Sequence, residues 1–135
     1  MSDKLRPTRQ VRIEGYSQDE VLAIPSQQVR DLILTGEPVV FGIGSATVLG
    51  EFRVTESSLR IELAQIEGGG EGVLLTLGSL ARRFAALNGI RDIEWVVHAI
   101  HCAKPNLKLR RVLRRRGFAV TVEGGVEAYR LVETL

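Results

Sequence analysis

The chain of 135 residues holds a single cysteine, Cys102, so neither an intramolecular disulfide nor a cysteine-based zinc site can be built within it. Its two histidines, His98 and His101, are too few to support a metal site. Aromatic residues make up only 5% of the chain, which leaves little with which to stack nucleic acid bases. No apolar run approaches the roughly 18 residues that a membrane span needs. The first ten residues, MSDKLRPTRQ, are polar and basic and do not read as a secretory signal. These absences lead to the expectation of a cytoplasmic protein without a membrane partner.

What is present suits an ordinary folded domain. Hydrophobic residues make up 44% and charged residues 25%, and the length is enough to bury a core. Residues 1–10 are expected to be a mobile tail, with one domain over 11–135. The net charge is only +2, but it is unevenly placed. Lys108, Arg110, Arg111, Arg114, Arg115 and Arg116 crowd into nine residues. Such a run is either a solvated helix face or a phosphate-attracting patch.

Periodicity divides the chain into elements. VRIEGY (11–16) reads as a strand. Ser17 and Glu20 have the spacing of a capping box, and Pro25 splits the region 17–36 into a helix pair or one kinked helix. VVFGIG (39–44), TVLGEFRV (47–54) and LRIELAQI (59–66) read as three strands joined by turns. In the third, Leu59, Ile61 and Leu63 alternate with Arg60, Glu62 and Ala64. Val73, Leu77, Leu80, Phe84 and Leu87 recur at helical spacing, and Gly89 ends that helix. DIEWVVHAIHC (92–102) reads as a central strand, with Trp95 in the core. A helix over 105–116 turns Leu109, Val112 and Leu113 inward and ends at Gly117. The last two strands form a hairpin through Gly124-Gly125. The strand-helix-strand over 59–102 requires a crossover, so its strands are expected to be parallel and the outer strands antiparallel. The fold class is therefore α/β, β-α-α-β-β-β-α-β-α-β-β, with a mixed, mainly antiparallel sheet and helices on both faces.

Between a strand and a helix lies Glu67-Gly68-Gly69-Gly70-Glu71-Gly72. Glycine permits a sharp turn and close approach of a ligand to the backbone. The free N–H groups and positive dipole of the helix start favour an anion there, most naturally a phosphate or pyrophosphate. A loop with no ligand is the plainer alternative. A Rossmann site does not fit, because antiparallel strands precede the turn, and no Gly-Lys-Ser/Thr follows to make a P-loop.

The element order, Gly70 and Gly72 at their spacing, and Asn106 followed by Gly117-Phe118 together resemble the GCN5-related N-acetyltransferase superfamily over residues 59–132. That resemblance implies an N-acyltransferase using acetyl-CoA or another acyl-CoA as co-substrate and an amine acceptor of unknown identity. Gly68, Gly69, Gly70, Glu71 and Gly72 would hold the pyrophosphate, and the pantetheine arm would pair with backbone near Ala64 and Ile66. Asn106 and Arg110 complete the implied cofactor-binding set, with Arg110 and Arg111 toward the 3′-phosphate. Two positions depart from the family pattern. Glu67 stands where Arg or Gln is preferred, and Leu113 stands where many members place a proton-donating Tyr. A catalytically degenerate binding protein of the same fold is the alternative.

Acyl transfer to an amine needs a base. Glu62 is the best placed carboxylate and His98 or His101 could also serve, each with a plainer alternative as a salt-bridged surface residue or a hydrogen-bonded structural one. His98 and His101 differ in parity and face opposite sides of their strand. Cys102 reads as a packed thiol rather than an acyl carrier. Tyr129 is a weak substitute acid and otherwise a sheet aromatic. Nucleic acid is disfavoured, because no recognition motif accompanies the arginines. A homodimer is left open.

Overall fold

The computed structural model describes residues 9–13, 38–43, 46–67, 71–100 and 107–135. Its elements run β1 (Arg9–Ile13), β2 (Val39–Ile43), β3 (Ala46–Thr55), β4 (Ser58–Glu67), α1 (Glu71–Leu87), β5 (Asp92–Val97), α2 (Leu107–Arg115), β6 (Ala119–Glu123) and β7 (Val126–Thr134). The helix pair expected over 17–36 lies outside the described residues, as do Gly68, Gly69, Gly70, His101, Cys102 and Asn106.

Seven strands form one mixed sheet in the order β1-β2-β3-β4-β5-β7-β6. β4 and β5 are parallel, as the α1 crossover requires, with Ile61 opposite Trp95 and Leu63 opposite Val97. β2–β3, β3–β4, β5–β7 and β6–β7 are antiparallel. The outer pair β1–β2 is parallel, which corrects the expectation that all outer strands are antiparallel. Residues 14–38 between them are long enough for a crossover, so no hairpin constrains their direction. β1 also begins at Arg9, inside the expected tail.

The two sheet faces differ in chemistry because strand side chains alternate. Leu59, Ile61 and Leu63 of β4, Ile93, Trp95 and Val97 of β5 and Tyr129 of β7 share one face and one core. Leu74, Leu77, Leu80, Ala81, Phe84 and Ala85 of α1 and Val112 and Leu113 of α2 complete that core. Both described helices thus lie on the same face, as two right-handed crossovers in one direction demand. The helix stripe runs through Leu74, Ala81 and Ala85, while Leu87, expected in it, is 60% exposed in the last turn. Alanines bury less area than leucine but let the helix approach the sheet closely. β5 ends at Val97, earlier than the strand expected to Cys102.

The turns follow their glycines. Gly89 and Gly117 terminate the helices at φ +67° and +91°, and Gly124 and Gly125 make the β6–β7 turn at +61° and +83°. Glycine at 50 has a different cause. The β3–β4 register passes from Leu49–Gln65 to Gly50–Leu63, leaving Ala64 as the extra residue of a bulge. A Cβ at Gly50 would stand 2.9 Å from Leu63 Cδ2 and 3.3 Å from the Glu62 carbonyl oxygen. The bulge also shifts the alternation, so that Ile66 returns to the core face opposite Val48.

Gly50→Val is accordingly expected to lower stability by about 1–3 kcal/mol through overpacking. In the double variant Gly50→Val/Leu63→Ala the new side chain enters vacated space, so the combined loss should be less than the sum of the two. Thermal unfolding of the four proteins measures this. Strictly additive losses would show that the contact with Leu63 is not the constraint.

Candidate functional site

The second face of the sheet carries the charged residues. On β4 the alternation places Arg60 and Glu62 there, and on the neighbouring β5 it places Glu94, with His98 just beyond the strand end. The parallel register sets Arg60 opposite Glu94 and Glu62 opposite Val96. His98 is two residues past Val96, a diagonal neighbour of Glu62, and its backbone N–H donates to the Leu63 carbonyl at 2.9 Å. That bond is the last between β4 and β5 among the described residues. Beyond it β4 continues through the bulged Ala64 to Gln65, Ile66 and Glu67, which pair with β3, while β5 has ended.

At this parting Glu62 and His98 meet, with Glu62 Oε2 and His98 Nε2 2.8 Å apart. The two candidate bases therefore form one pair. Both are accessible, at 37% and 22% side-chain exposure. An ionised carboxylate only accepts hydrogen bonds, so Nε2 must carry the proton and donate it to Glu62. In the neutral ring Nδ1 is then the proton acceptor. Glu62 Oε1 lies 3.6 Å from an Arg60 terminal nitrogen, so the carboxylate is steadied from both sides.

Arg60 links this pair to a larger network. It donates to Glu94 at 2.7 Å and to Glu123 at 3.2 Å. The second contact joins β4 to β6 although two strands lie between them in the sheet, so the β6–β7 hairpin bends over the charged face. Arg130 Nε donates to the other oxygen of Glu94 at 2.7 Å. Burial alone would push the Glu94 carboxyl up. The hydrogen bonds from Arg130 and Arg60, and their charges, outweigh it and hold the group below the usual glutamate range. Burial likewise opposes the Arg60 charge, but the hydrogen bonds of Glu94 and Glu123 and the charges of Glu94 and Glu62 leave its pKa raised. At the other end of β5, Ser58 donates to Asp92.

The remaining expected site residues are distributed as follows. Ala64 is exposed at the bulge, and Ile66 is partly buried against the core. Glu67, at the first motif position, accepts a hydrogen bond from Gln65, its neighbour on the charged face. α1 starts at Glu71, and a Cβ on exposed Gly72 would meet no atom within 4 Å. Packing therefore does not require glycine at 72. Arg110 donates from Nε to the Ala99 carbonyl at 2.7 Å and from Nη2 to the Ile100 carbonyl at 2.9 Å, tying α2 to the chain leaving β5. Leu113 is fully buried and Tyr129 nearly so, both in the core. Neither is placed to give a proton to a group at the parting. The sequence reading missed Glu94, Arg130 and Glu123 as partners. Their period-2 spacing was visible, but the register that brings them to Arg60 was not.

Because the Glu94 pKa is lowered in the folded state, its stabilisation is present above about pH 4.3, the ordinary glutamate value. It is lost as pH falls through the lower folded value. Glu94→Gln should therefore destabilise the protein by about 1–3 kcal/mol at pH 7 and by little at pH 2. Urea unfolding at the two pH values tests this. An equal loss at both would locate the effect in packing rather than charge.

No family model matches the chain, and no curated protein is detectably similar to it in sequence.

Proposed function

We propose that the protein is an acyl-CoA-dependent N-acyltransferase of the GCN5-related type, acting on an amine of unidentified structure. The observation that carries this reading is the Glu62–His98 pair at the point where β4 and β5 part. A proton acceptor steadied by a carboxylate, partly open to solvent and beside the end of the β4–β5 pairing, suits deprotonation of an attacking ammonium. It favours an enzyme over a degenerate binding protein of the same fold.

In this reading the His98–Glu62 pair takes the proton from the amine. The amine nitrogen then bonds to the thioester carbonyl carbon, and the carbon–sulfur bond breaks. The nitrogen gives up its second proton to water and the thiolate takes one from water, since Leu113 carries no proton donor. The β4 backbone at Ala64 and Ile66, which has no β5 partner among the described residues, would receive the pantetheine arm. Gly68, Gly69 and Gly70 and the first amides of α1 would receive the pyrophosphate. Glu67 is compatible with this because it is hydrogen-bonded to Gln65 on the charged face.

Isothermal titration with acetyl-CoA tests binding, and Gly70→Asp should abolish it by placing a charged side chain in the phosphate turn. With an amine acceptor found by screening polyamines, amino acids and peptides, His98→Ala and Glu62→Gln should each lower kcat by about 10²–10⁴ while acetyl-CoA binding persists. No heat with millimolar acetyl-CoA would sink the proposal. Unchanged kcat in both variants would remove the pair from the mechanism.

A further inference from the structure

On the core face, away from the Glu62–His98 pair, a cleft of about 400 Å³ opens between α1, the end of α2 and β7. Its construction begins with Gly78. Glycine in a helix interior costs about 1 kcal/mol relative to alanine. Apart from the helix's own backbone, the atoms nearest a Cβ there belong to the Arg82 side chain, at 3.1, 3.2 and 3.4 Å. Helical side chains lean toward the preceding turn, so Arg82 lies back over Gly78. What the missing side chain makes room for is a guanidinium.

That guanidinium is held in place. Arg82 Nη1 donates to Glu133 Oε2 at 3.1 Å, and Trp95 Nε1 donates to Glu133 Oε1 at 2.8 Å. Each oxygen of Glu133 thus has a donor, while Arg82 keeps 46% of its side chain exposed. Arg116 also stands on the lining. The rest of the lining is apolar, with Leu74, Trp95, Phe118 and Leu131.

We infer that this cleft binds a small amphipathic anion, an aliphatic or aromatic carboxylate whose apolar body lies against Phe118 and Leu131 and whose charge meets Arg82. A cleft of that volume holds on the order of a dozen non-hydrogen atoms at about 30 Å³ each. It lies within the range of small-molecule sites, which are mostly apolar with a few placed polar groups. A charge-assisted bond to a guanidinium fixed by Glu133 and Trp95 loses little side-chain freedom on binding. The inference is independent of the acyl-transfer reading, whose Glu62–His98 pair lies on the other face of the sheet.

Trp95 is the only tryptophan, so its fluorescence reports on this cleft alone. Titration with octanoate should give a saturable change below millimolar concentration, and 1-octanol should bind at least 10-fold more weakly. Arg82→Gln should bring octanoate down to the affinity of 1-octanol, and Gly78→Leu should abolish the response by filling the cleft. Should Gly78→Leu fail to fold, octanoate-induced amide shifts in the wild-type protein decide instead. They must centre on the Gly78 amide and the Trp95 indole N–H. Equal affinity for octanoate and 1-octanol, full affinity in Arg82→Gln, shifts centred elsewhere, or no response up to 10 mM would each overturn the inference.

Discussion

The parallel pairing of β4 with β5 is the constraint on which the described structure rests. Because the strands are parallel, the chain must return across the sheet between them, and α1 makes that return. The return covers one face with Leu74, Leu77, Leu80 and Phe84 and so commits Leu59, Ile61, Ile93 and Trp95 to the core. Alternation then forces Arg60, Glu62 and Glu94 onto the opposite face, where burial would otherwise have been costly. The register sets Arg60 against Glu94 and brings His98 diagonally to Glu62. One pairing thereby produces the core, the ion-pair network and the candidate base.

The bulge at Ala64 is what ends this regularity. Up to Leu63 the two strands run in step. After it β4 carries an extra residue against β3, turns Ile66 back to the core and continues paired to β3 without β5. A bulge adds twist and bends the strand that bears it. Gly50 permits it, since the close approach of Leu63 and the Glu62 carbonyl leaves no room for a side chain opposite. The place where the sheet parts is thus also the place where its most chemically capable pair sits.

The charged face and the cleft show two uses of the same residue types. Arg60 and Arg130 neutralise Glu94 and bind strands together across the sheet. Arg82, on the helix, is held by one carboxylate and still presents an open edge. Basic α2 shows a third use: Arg110 secures the carbonyls of Ala99 and Ile100, while Lys108, Arg111, Arg114 and Arg115 remain on the exposed side. A sequence count of cations cannot separate these roles, because each depends on what lies one strand or one turn away.

Much of the architecture was legible in the residues themselves. Alternation marked β4, turn residues set off β3, β6 and β7, 3.6-residue spacing marked both helices, and Gly89, Gly117 and Gly124-Gly125 marked where elements stop. These signals are local, since they come from backbone geometry and from which side of an element is apolar. Glu62 and His98 were also visible as chemical candidates, but as separate ones. Their meeting, the Ala64 bulge, the parallel β1–β2 pair and the Gly78–Arg82–Glu133–Trp95 arrangement were decided only by tertiary structure. Each depends on register or on contacts between residues far apart in sequence, and no local preference encodes the distance between two strands that have yet to pair.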